Sequence, residues 1–342
     1  MKRKRLCSVI IMSLLLVCFG GACGKKGGND YPFPTLAPDW SNWADGSMPG
    51  GYGGGIELWK SSGRDEKNPV DTVAKNSMSD REVISEDGTL DVFVNYSFTV
   101  GEYKGKETMN TVVLVTVNDE VCDFTLGGQT SENGLLVTEK PMGEELTEAL
   151  SVKDCSVMEG ENELAVHMAV YFPCGHTQAA SESCIFVSEC EKESSVTYGT
   201  DVRMLTGSEV VTNEDKDDRE IAHWLGKTED YLYEKLSFDS SKRCMTVGTD
   251  SEIKMSFPNQ RRSEKEPVAR KAFVLALKNG QPIGAWDGET IGGLVLGEED
   301  LNVTLPLTIE KKAGDYAHVS FVLFDGDDDM GTFVTERLFQ FQ

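Results

Sequence analysis

The sequence predicts an all-β protein in which two antiparallel β-sandwich domains follow one another along the chain. Apolar and polar side chains alternate over many short segments, which is the pattern of half-buried strands. Pairs of turn-forming residues separate these segments, for example at 118–119 and 279–280. The same succession of segments occurs along residues 81–198 and again along 246–342, which indicates one structural unit present twice.

Each predicted strand is a short run of alternating or continuous apolar residues. In the first domain these runs cover 90–98, 112–117, 122–126, 164–172 and 185–187. In the second domain they cover 253–257, 273–277, 301–309 and 319–323. Runs of this length with turn residues between them are typical of antiparallel sandwiches.

Two residue pairs define the alignment of the predicted duplication. Asn118 aligns with Asn279, and Val166 aligns with Val319. The order of the strands resembles the immunoglobulin-like repeats that are common in bacterial surface proteins. The chain lacks the Cys–Trp–Cys spacing of true immunoglobulin domains, so the resemblance implies an architecture and no further property.

Residues 1–22 have the composition of an export signal. A cationic start at 2–5 precedes an apolar run at 6–19, and small residues lead into Cys23. This segment resembles the signal peptides of bacterial lipoproteins, whose lipobox ends in a cysteine that is lipidated. The resemblance implies a diacylglyceryl group on Cys23 and a protein exported and anchored at the bacterial cell surface. Cleavage after Ala22 without lipidation and an uncleaved anchor are the alternatives.

Two further regions are less regular than the predicted sandwiches. Residues 23–80 are rich in Gly and Pro, which is typical of a tether. The aromatic side chains of this tether either fold back onto the folded domains or contact the cell wall or a partner. Residues 199–245 form a connector or contribute edge strands to the second domain.

The charge balance limits the classes of partner. The 57 Asp and Glu residues exceed the 33 Lys and Arg residues, so the formal net charge is −24. Nucleic-acid phosphates and an anionic membrane surface would both be repelled by such a chain. We therefore expect no nucleic acid as a partner, contact with the membrane only through the N-terminal lipid, and a surface protein or glycan as the ligand.

The cysteines that follow Cys23 predict a disulfide in an exported chain. Cys174 and Cys184 are the favoured pair because they flank residues 175–183, which we interpret as a loop between antiparallel strands. Buried free thiols are the alternative. A zinc site that combines this pair with His176 and Cys190 is a weaker alternative, because structural zinc sites prefer closer cysteine spacing.

An acidic segment near the C-terminus has the spacing of a calcium-binding loop. Asp325, Asp327, Asp329 and Glu336 occupy the first, third, fifth and twelfth positions, where oxygen ligands suit a hard cation. Met330 stands where the tight turn of such a loop requires Gly, and the flanking segments are predicted strands. An acidic hairpin turn is the alternative. We therefore expect no cofactor, with calcium at this segment as the alternative.

No catalytic constellation is recognisable in the sequence. Ser251 and Lys254 match the S-x-x-K pattern, but alternation along a strand would point them to opposite faces. His167 and His318 lie opposite the apolar stripes and are expected to face solvent or to pack against another sheet. We therefore expect a lipid-anchored binding or adhesion protein of the cell surface without catalytic activity. A structural or accessory subunit of an envelope complex is the first alternative, and a hydrolase is the second.

Overall fold

The structure is a computed structural model, and it describes part of the chain. The described residues are 52–60, 90–100, 108–188, 191–193, 202–205, 209–211, 224–227, 244–250, 253–258, 270–286, 288–296, 302–307, 309–325 and 332–342. All regular elements in these ranges are β-strands, which confirms the predicted all-β class. The export signal and Cys23 lie outside the described residues.

The first domain contains ten strands in two sheets. They are β1 (Tyr52–Lys60), β2 (Leu90–Val100), β3 (Thr108–Val117), β4 (Glu120–Val121), β5 (Phe124–Leu126), β6 (Gln129–Thr130), β7 (Leu135–Pro141), β8 (Leu146–Val152), β9 (Gly160–Tyr171) and β10 (Thr177–Ser188). Sheet 1 has the order β1-β2-β8-β5-β6. Sheet 2 has the order β10-β9-β3-β4, and β7 also pairs with β3.

The second domain contributes two more sheets. Its strands are β11 (Val202–Leu205), β12 (Glu209–Val211), β13 (Trp224–Lys227), β14 (Cys244–Val247), β15 (Ile253–Pro258), β16 (Arg270–Lys278), β17 (Gln281–Pro282), β18 (Ile291–Leu296), β19 (Asn302–Leu307), β20 (Tyr316–Asp325) and β21 (Thr332–Phe341). Sheet 3 has the order β11-β18-β16-β20-β21-β14, with β17 on β16, and sheet 4 has the order β12-β19-β15-β13. Pairing is antiparallel except between β11 and β18 and between β14 and β21.

Sheets 1 and 2 pack face to face to form the first sandwich. Along β3, Val113, Val115 and Val117 point into the core between these sheets, and sheet 1 contributes residues such as Leu90 and Phe98. Every second residue of a strand faces the same side, so the alternate residues of β3 must find a different environment.

That environment is the second domain, because sheet 2 also packs against sheet 3. Val112 and Leu114 of β3 share a buried cluster with Phe273 and Leu275 of β16. The opposite face of sheet 3 has its own core, to which Phe321 of β20 belongs. Strands β3, β9, β16 and β20 are therefore buried on both faces, and the two domains form one packed body.

The same turn occurs at equivalent places in the two domains. Asn118 and Asn279 both have positive φ angles, 49° and 52°. The Asn118 amide donates to the Glu163 carbonyl, and the Asn279 amide donates to the His318 carbonyl. Each Asn side chain in turn accepts a bond from the amide of that same residue, Glu163 or His318. These matched bonds confirm that Asn118 aligns with Asn279.

The second alignment is wrong by two residues. Val117, which precedes Asn118, pairs with Leu164, whereas Lys278, which precedes Asn279, pairs with Val319. The equivalent of Val319 is therefore Leu164 and not Val166. A shift of two residues preserves the face on which each side chain lies, so the apolar stripe alone could not distinguish the two alignments.

The structure also shortens the predicted tether and shows that strands within the connector belong to the second domain. Residues 52–60, which we assigned to the tether, form β1 and pair with β2. Ile56 and Leu58 are buried in the first core, which explains why this segment adopts a fixed position despite its glycines. Within the connector, β11, β12 and β13 are edge strands of the second domain.

Candidate functional site

A group of interacting polar side chains between the two domains lies where β9 and β10 meet β20 and β21. We call it the interface cluster. Its members are His167, His176, Thr177 and Ser181 of the first domain and His318, Ser320, Thr332 and Glu336 of the second domain. These residues lie on faces that strand alternation directs toward the other domain.

Strand register brings the members of the cluster together. Within sheet 2, Ser181 pairs with His167. Within sheet 3, Ser320 pairs with Glu336, and His318 lies two residues before Ser320 on the same face. His176 comes directly before β10, so the β9–β10 turn places its ring at the edge of the interface.

Glu336 is the centre of the cluster. Its Oε1 lies 2.5 Å from His176 Nδ1, and its Oε2 accepts a bond of 2.9 Å from the Thr177 amide. His318 Nε2 lies 3.3 Å from Oε2. The carboxylate thus interacts with donors from both domains, and two of its partners belong to the turn and strand start of the opposite domain.

These contacts decide the ionisation of Glu336. Burial by itself would raise the pKa of this carboxyl, but hydrogen bonds and positive charge from His176 and His318 outweigh burial and lower the pKa to about 2. Glu336 is therefore a carboxylate at neutral pH. A charge-assisted hydrogen bond of this kind is stronger than a bond between neutral groups.

A second part of the cluster is built from hydroxyl groups and His167. The Thr177 and Ser320 hydroxyl oxygens lie 2.8 Å apart. Ser181 Oγ lies 2.8 Å from His167 Nδ1 and 2.6 Å from Thr332 Oγ1. Two separate groups of hydrogen bonds therefore connect sheet 2 to sheet 3 here, one through Thr177 and one through Ser181.

His167 is neutral at physiological pH because it is buried. Its side chain lies in the interface with an exposed fraction of 2%, and burial lowers its pKa to about 4. The ring centroid lies 5.0 Å from that of Phe324 in the second domain. A neutral imidazole of this kind acts as a hydrogen-bonding core residue.

A small recess adjoins His167 between the domains. It is lined by Thr116, Asp119, Glu163, Ala165, His167 and Phe273, and its volume is about 10 Å³. This is the space that one water molecule needs. Burial raises the pKa of Asp119, and the charge of Lys271 in the second domain opposes that rise.

The predicted calcium site stays a prediction, because only two of its four residues, Asp325 and Glu336, belong to the described part of the chain. Glu336 lies four residues inside β21 and its oxygens face His176 and Thr177. Asp325 ends β20, whereas Glu336 pairs with Ser320 of that strand. Asp327 and Asp329 lie outside the described residues. Within the described ranges, no group of three or more His, Cys, Asp or Glu residues is arranged to hold a metal ion.

The predicted disulfide between Cys174 and Cys184 is corrected. The structure shows no disulfide between these two residues. Cys174 lies in the β9–β10 turn, but Cys184 lies well inside β10 and pairs with Leu164. The segment that we interpreted as a loop is mostly extended strand, which separates the two sulfurs by more than a disulfide can span. In the weaker zinc alternative, His176 faces Glu336, and Cys190 lies outside the described residues.

Sequence reasoning gave packing against a sheet as one alternative for His167 and His318, but it missed Glu336 as the neighbour of His318. The available signal was the continuous apolar character of 112–117, since a strand that is apolar at successive positions is buried on both faces. That signal predicts a second packed layer. It does not predict which strands of the other domain meet it.

No protein-family profile and no curated protein sequence matches the chain. Among solved structures, one named BspA_C_WT is 10% identical with a TM-score of 0.21, and the match covers 84% of this chain and 99% of that chain.

Another similar structure is the CsuC-CsuE chaperone-tip adhesion subunit pre-assembly complex from archaic chaperone-usher Csu pili of Acinetobacter baumannii. It is 8% identical with a TM-score of 0.17, and the match covers 74% of this chain and 92% of that chain. Similarities this low assign no family, so the all-β sandwich fold rests on the strands, sheets and cores of this chain.

None of the described residues forms a helix long and apolar enough to cross a membrane.

Proposed function

We propose that this protein is a non-catalytic binding or adhesion protein, held at the bacterial cell surface by a lipid on Cys23. The resemblance of residues 1–23 to lipoprotein signals supports the anchor. Residues 24–51 then lie between the anchor and β1, the first strand of the folded body. The ligand is a surface protein or a glycan.

The observation that carries this proposal is the closure of the interface cluster. His318 and His167 have exposed fractions of 0% and 2%, and the recess beside His167 has room for one water molecule. The side chains that most often perform acid–base chemistry are thus used to join the two domains. His167 and His318 are closed to any substrate larger than water, and His176 and Glu336, which are 22% and 18% exposed, bind each other.

The fixed contact between the two domains supports a role in presenting turns and edge strands to a binding partner. Because sheet 2 packs against sheet 3, the turns and edge strands of both sandwiches keep fixed positions relative to each other. Edge strands carry unpaired backbone groups and are a common site of protein recognition. A net charge of −24 favours basic partners and keeps the body away from anionic lipid.

Cross-linking on intact cells tests the proposal. Cells that produce the full chain are treated with a cross-linker, the protein is captured, and its neighbours are identified by mass spectrometry. The Cys23→Ala variant is the matched control, since it should lose the membrane fraction while its folded body is unchanged. A neighbour that is enriched with the wild type and depleted with this variant is the expected result.

Other outcomes contradict specific parts of the proposal. If Cys23→Ala stays in the membrane fraction to the same extent, lipid anchoring is wrong. Efficient capture with no enriched protein and no binding to cell-surface glycans would contradict the binding role. A neighbour recovered in a fixed stoichiometric ratio would favour the alternative of an accessory subunit in an envelope complex, for which the rigid pairing of domains would serve as a spacer.

A further inference from the structure

Two buried cysteines lie where the chain crosses between the sheets of the first sandwich. Cys122 stands between β4 of sheet 2 and β5 of sheet 1, and Cys155 follows β8 of sheet 1 before β9 of sheet 2. Each cysteine therefore lies in a segment that passes from one sheet to the other. The apolar–polar pattern of the sequence assigns neither residue a role.

Strand register brings the two crossings to the same end of the sandwich. Strand β5 pairs with β8 in antiparallel fashion, and Phe124 faces Val152. Cys122 and Cys155 therefore lie two and three residues beyond the last paired residues, at the same end of the pairing between β5 and β8. Asp154 has a φ of 56°, so the chain bends there as it leaves sheet 1.

The two side chains also share one environment. Cys122 and Cys155 are 3% and 2% exposed and belong to the same core cluster between sheets 1 and 2. Burial is the main cause that raises the pKa of Cys122, and the nearby charge of Cys155 raises it further. Both thiols are free in this structure, and Cys122 Sγ lies 3.2 Å from the Glu120 carbonyl oxygen, to which it donates.

We propose that Cys122 and Cys155 are a disulfide-forming pair that joins the two sheet crossings when the chain folds under oxidising conditions. The oxidant is a small-molecule or protein disulfide. One cysteine attacks it as a thiolate and forms a mixed disulfide, and the other displaces the bound thiol. One S–S bond forms, the two cysteines lose two electrons and two protons, and the oxidant is reduced to two thiols.

The environment of the pair determines when this reaction occurs. Burial raises the pKa of both thiols, and the thiolate is the reactive form. Exchange in the closed core is therefore slow, and the bond forms before the first sandwich closes. The product encloses a loop of roughly 33 residues, which is long enough for a marked restriction of the unfolded chain.

The direct test maps the bond in the wild-type chain. The full chain is unfolded and reduced, refolded with a mixture of oxidised and reduced glutathione, then denatured and alkylated without further reductant. We expect a peptide that joins the segments of Cys122 and Cys155, while Cys174 serves as the internal control because its thiol, which takes no part in the proposed bond, takes up the alkylating agent. Alkylation of both Cys122 and Cys155 in most molecules would overturn the proposal.

A second measurement separates the bond from simple packing effects. The Tm of the refolded protein is measured with and without reductant, in the wild type, in a Cys122→Ala/Cys155→Ala double variant and in a Cys174→Ala control. Reductant should lower the Tm of the wild type and of the control by about 5 °C or more and leave the double variant unchanged. An equal response of all three proteins would overturn the proposal. The test uses purified protein, so it is independent of the proposed cell-surface function.

Discussion

The contact between the two domains has an apolar half and a polar half, and the two halves contribute different properties. The apolar half joins Val112 and Leu114 of β3 to Phe273 and Leu275 of β16. The polar half is the interface cluster around Glu336. Apolar burial supplies free energy in proportion to area and has little directional preference, whereas hydrogen bonds to a carboxylate require particular positions of both partners.

This division explains how two similar sandwiches adopt one arrangement. Sliding one apolar sheet along another by two residues would preserve most of the buried area, because side chains repeat with period two. The same movement would separate Glu336 from His176 and from the Thr177 amide. The apolar half thus makes the contact stable, and we infer that the interface cluster fixes its register.

The largest effect is expected from truncation of the apolar half. Leu114→Ala and Leu275→Ala each remove a fully buried side chain, and each should lower the free energy of unfolding by about 4 kcal/mol. Because the two side chains belong to the same cluster across the interface, the double variant should cost less than the sum. Urea unfolding of the four proteins measures this coupling. Additive effects would contradict packing of Leu114 against the second domain.

Gly280 lies in the turn between β16 and β17 of the second domain, and its substitution tests how closely that turn approaches the first domain. A Cβ at Gly280 would overlap the Tyr171 ring of the first domain, and its φ is 76°. Gly280→Ala should therefore lower the free energy of unfolding by about 3 kcal/mol, from backbone strain and the clash together. Gly128 has a φ of 81° with open space around it, so Gly128→Ala should cost only the strain, about 1 kcal/mol. Equal effects of the two changes would argue against this contact.

The sequence predicted β3, β9, β16 and β20 of this interface but not their partners, and it assigned the first half of β10 to a loop. The alternation of Val319, Phe321 and Leu323 indicated one buried face of β20, and the other face carries His318, Ser320, Val322 and Phe324 in the same strand. A strand of this kind is buried on both sides, which only a third layer of structure can provide. The alternation of apolar residues along a strand indicates that one face is buried. It contains no information about which distant strand covers that face.

Acid should weaken the polar half in two separate pH windows. The pKa of His167 is lowered to about 4 from an ordinary value of 6.5. The unfolded chain therefore binds a proton first, and stability falls as the pH drops from 6.5 to 4. The pKa of Glu336 is lowered to about 2 from 4.5, so stability falls again from pH 4.5 to 2. The loss in the free energy of unfolding across each window should be roughly 3 kcal/mol.

Substitutions of His167 and Glu336 test which residue causes the loss of stability in each pH window. His167→Gln should remove the loss of stability between pH 6.5 and 4 and retain the loss at lower pH. Glu336→Gln should have the opposite effect. Thermal unfolding over a pH series gives the profiles, and a profile that neither variant changes would show that other groups cause the acid response.

At neutral pH, removal of the charge at Glu336 should have a moderate effect. Glu336→Gln keeps the size of the side chain but leaves His176 and His318 without a carboxylate, and the site is partly exposed at 18%. We expect a loss of about 2 kcal/mol in the free energy of unfolding. Glu310→Gln is the control, since Glu310 is exposed and should change stability by less than about 0.5 kcal/mol. Similar values for both variants would contradict a special role of Glu336.

The smallest expected effect on stability is the loss of one hydrogen bond between hydroxyl groups, and it should differ between a buried pair and an exposed pair. Thr177→Val removes the hydroxyl that lies 2.8 Å from Ser320 Oγ in the buried interface, and it leaves Ser320 without that partner. Thr130→Val removes the equivalent group from the exposed Thr125–Thr130 pair, whose oxygens are 3.4 Å apart. The first change should cost about 1 kcal/mol, and the second should be close to neutral. Because both replacements have the same shape, a difference in urea midpoints at equal slope reports the hydrogen bond alone. If Thr177→Val is as neutral as Thr130→Val, the hydroxyl part of the interface cluster contributes nothing to the register, and Glu336 with its two histidines carries that role by itself.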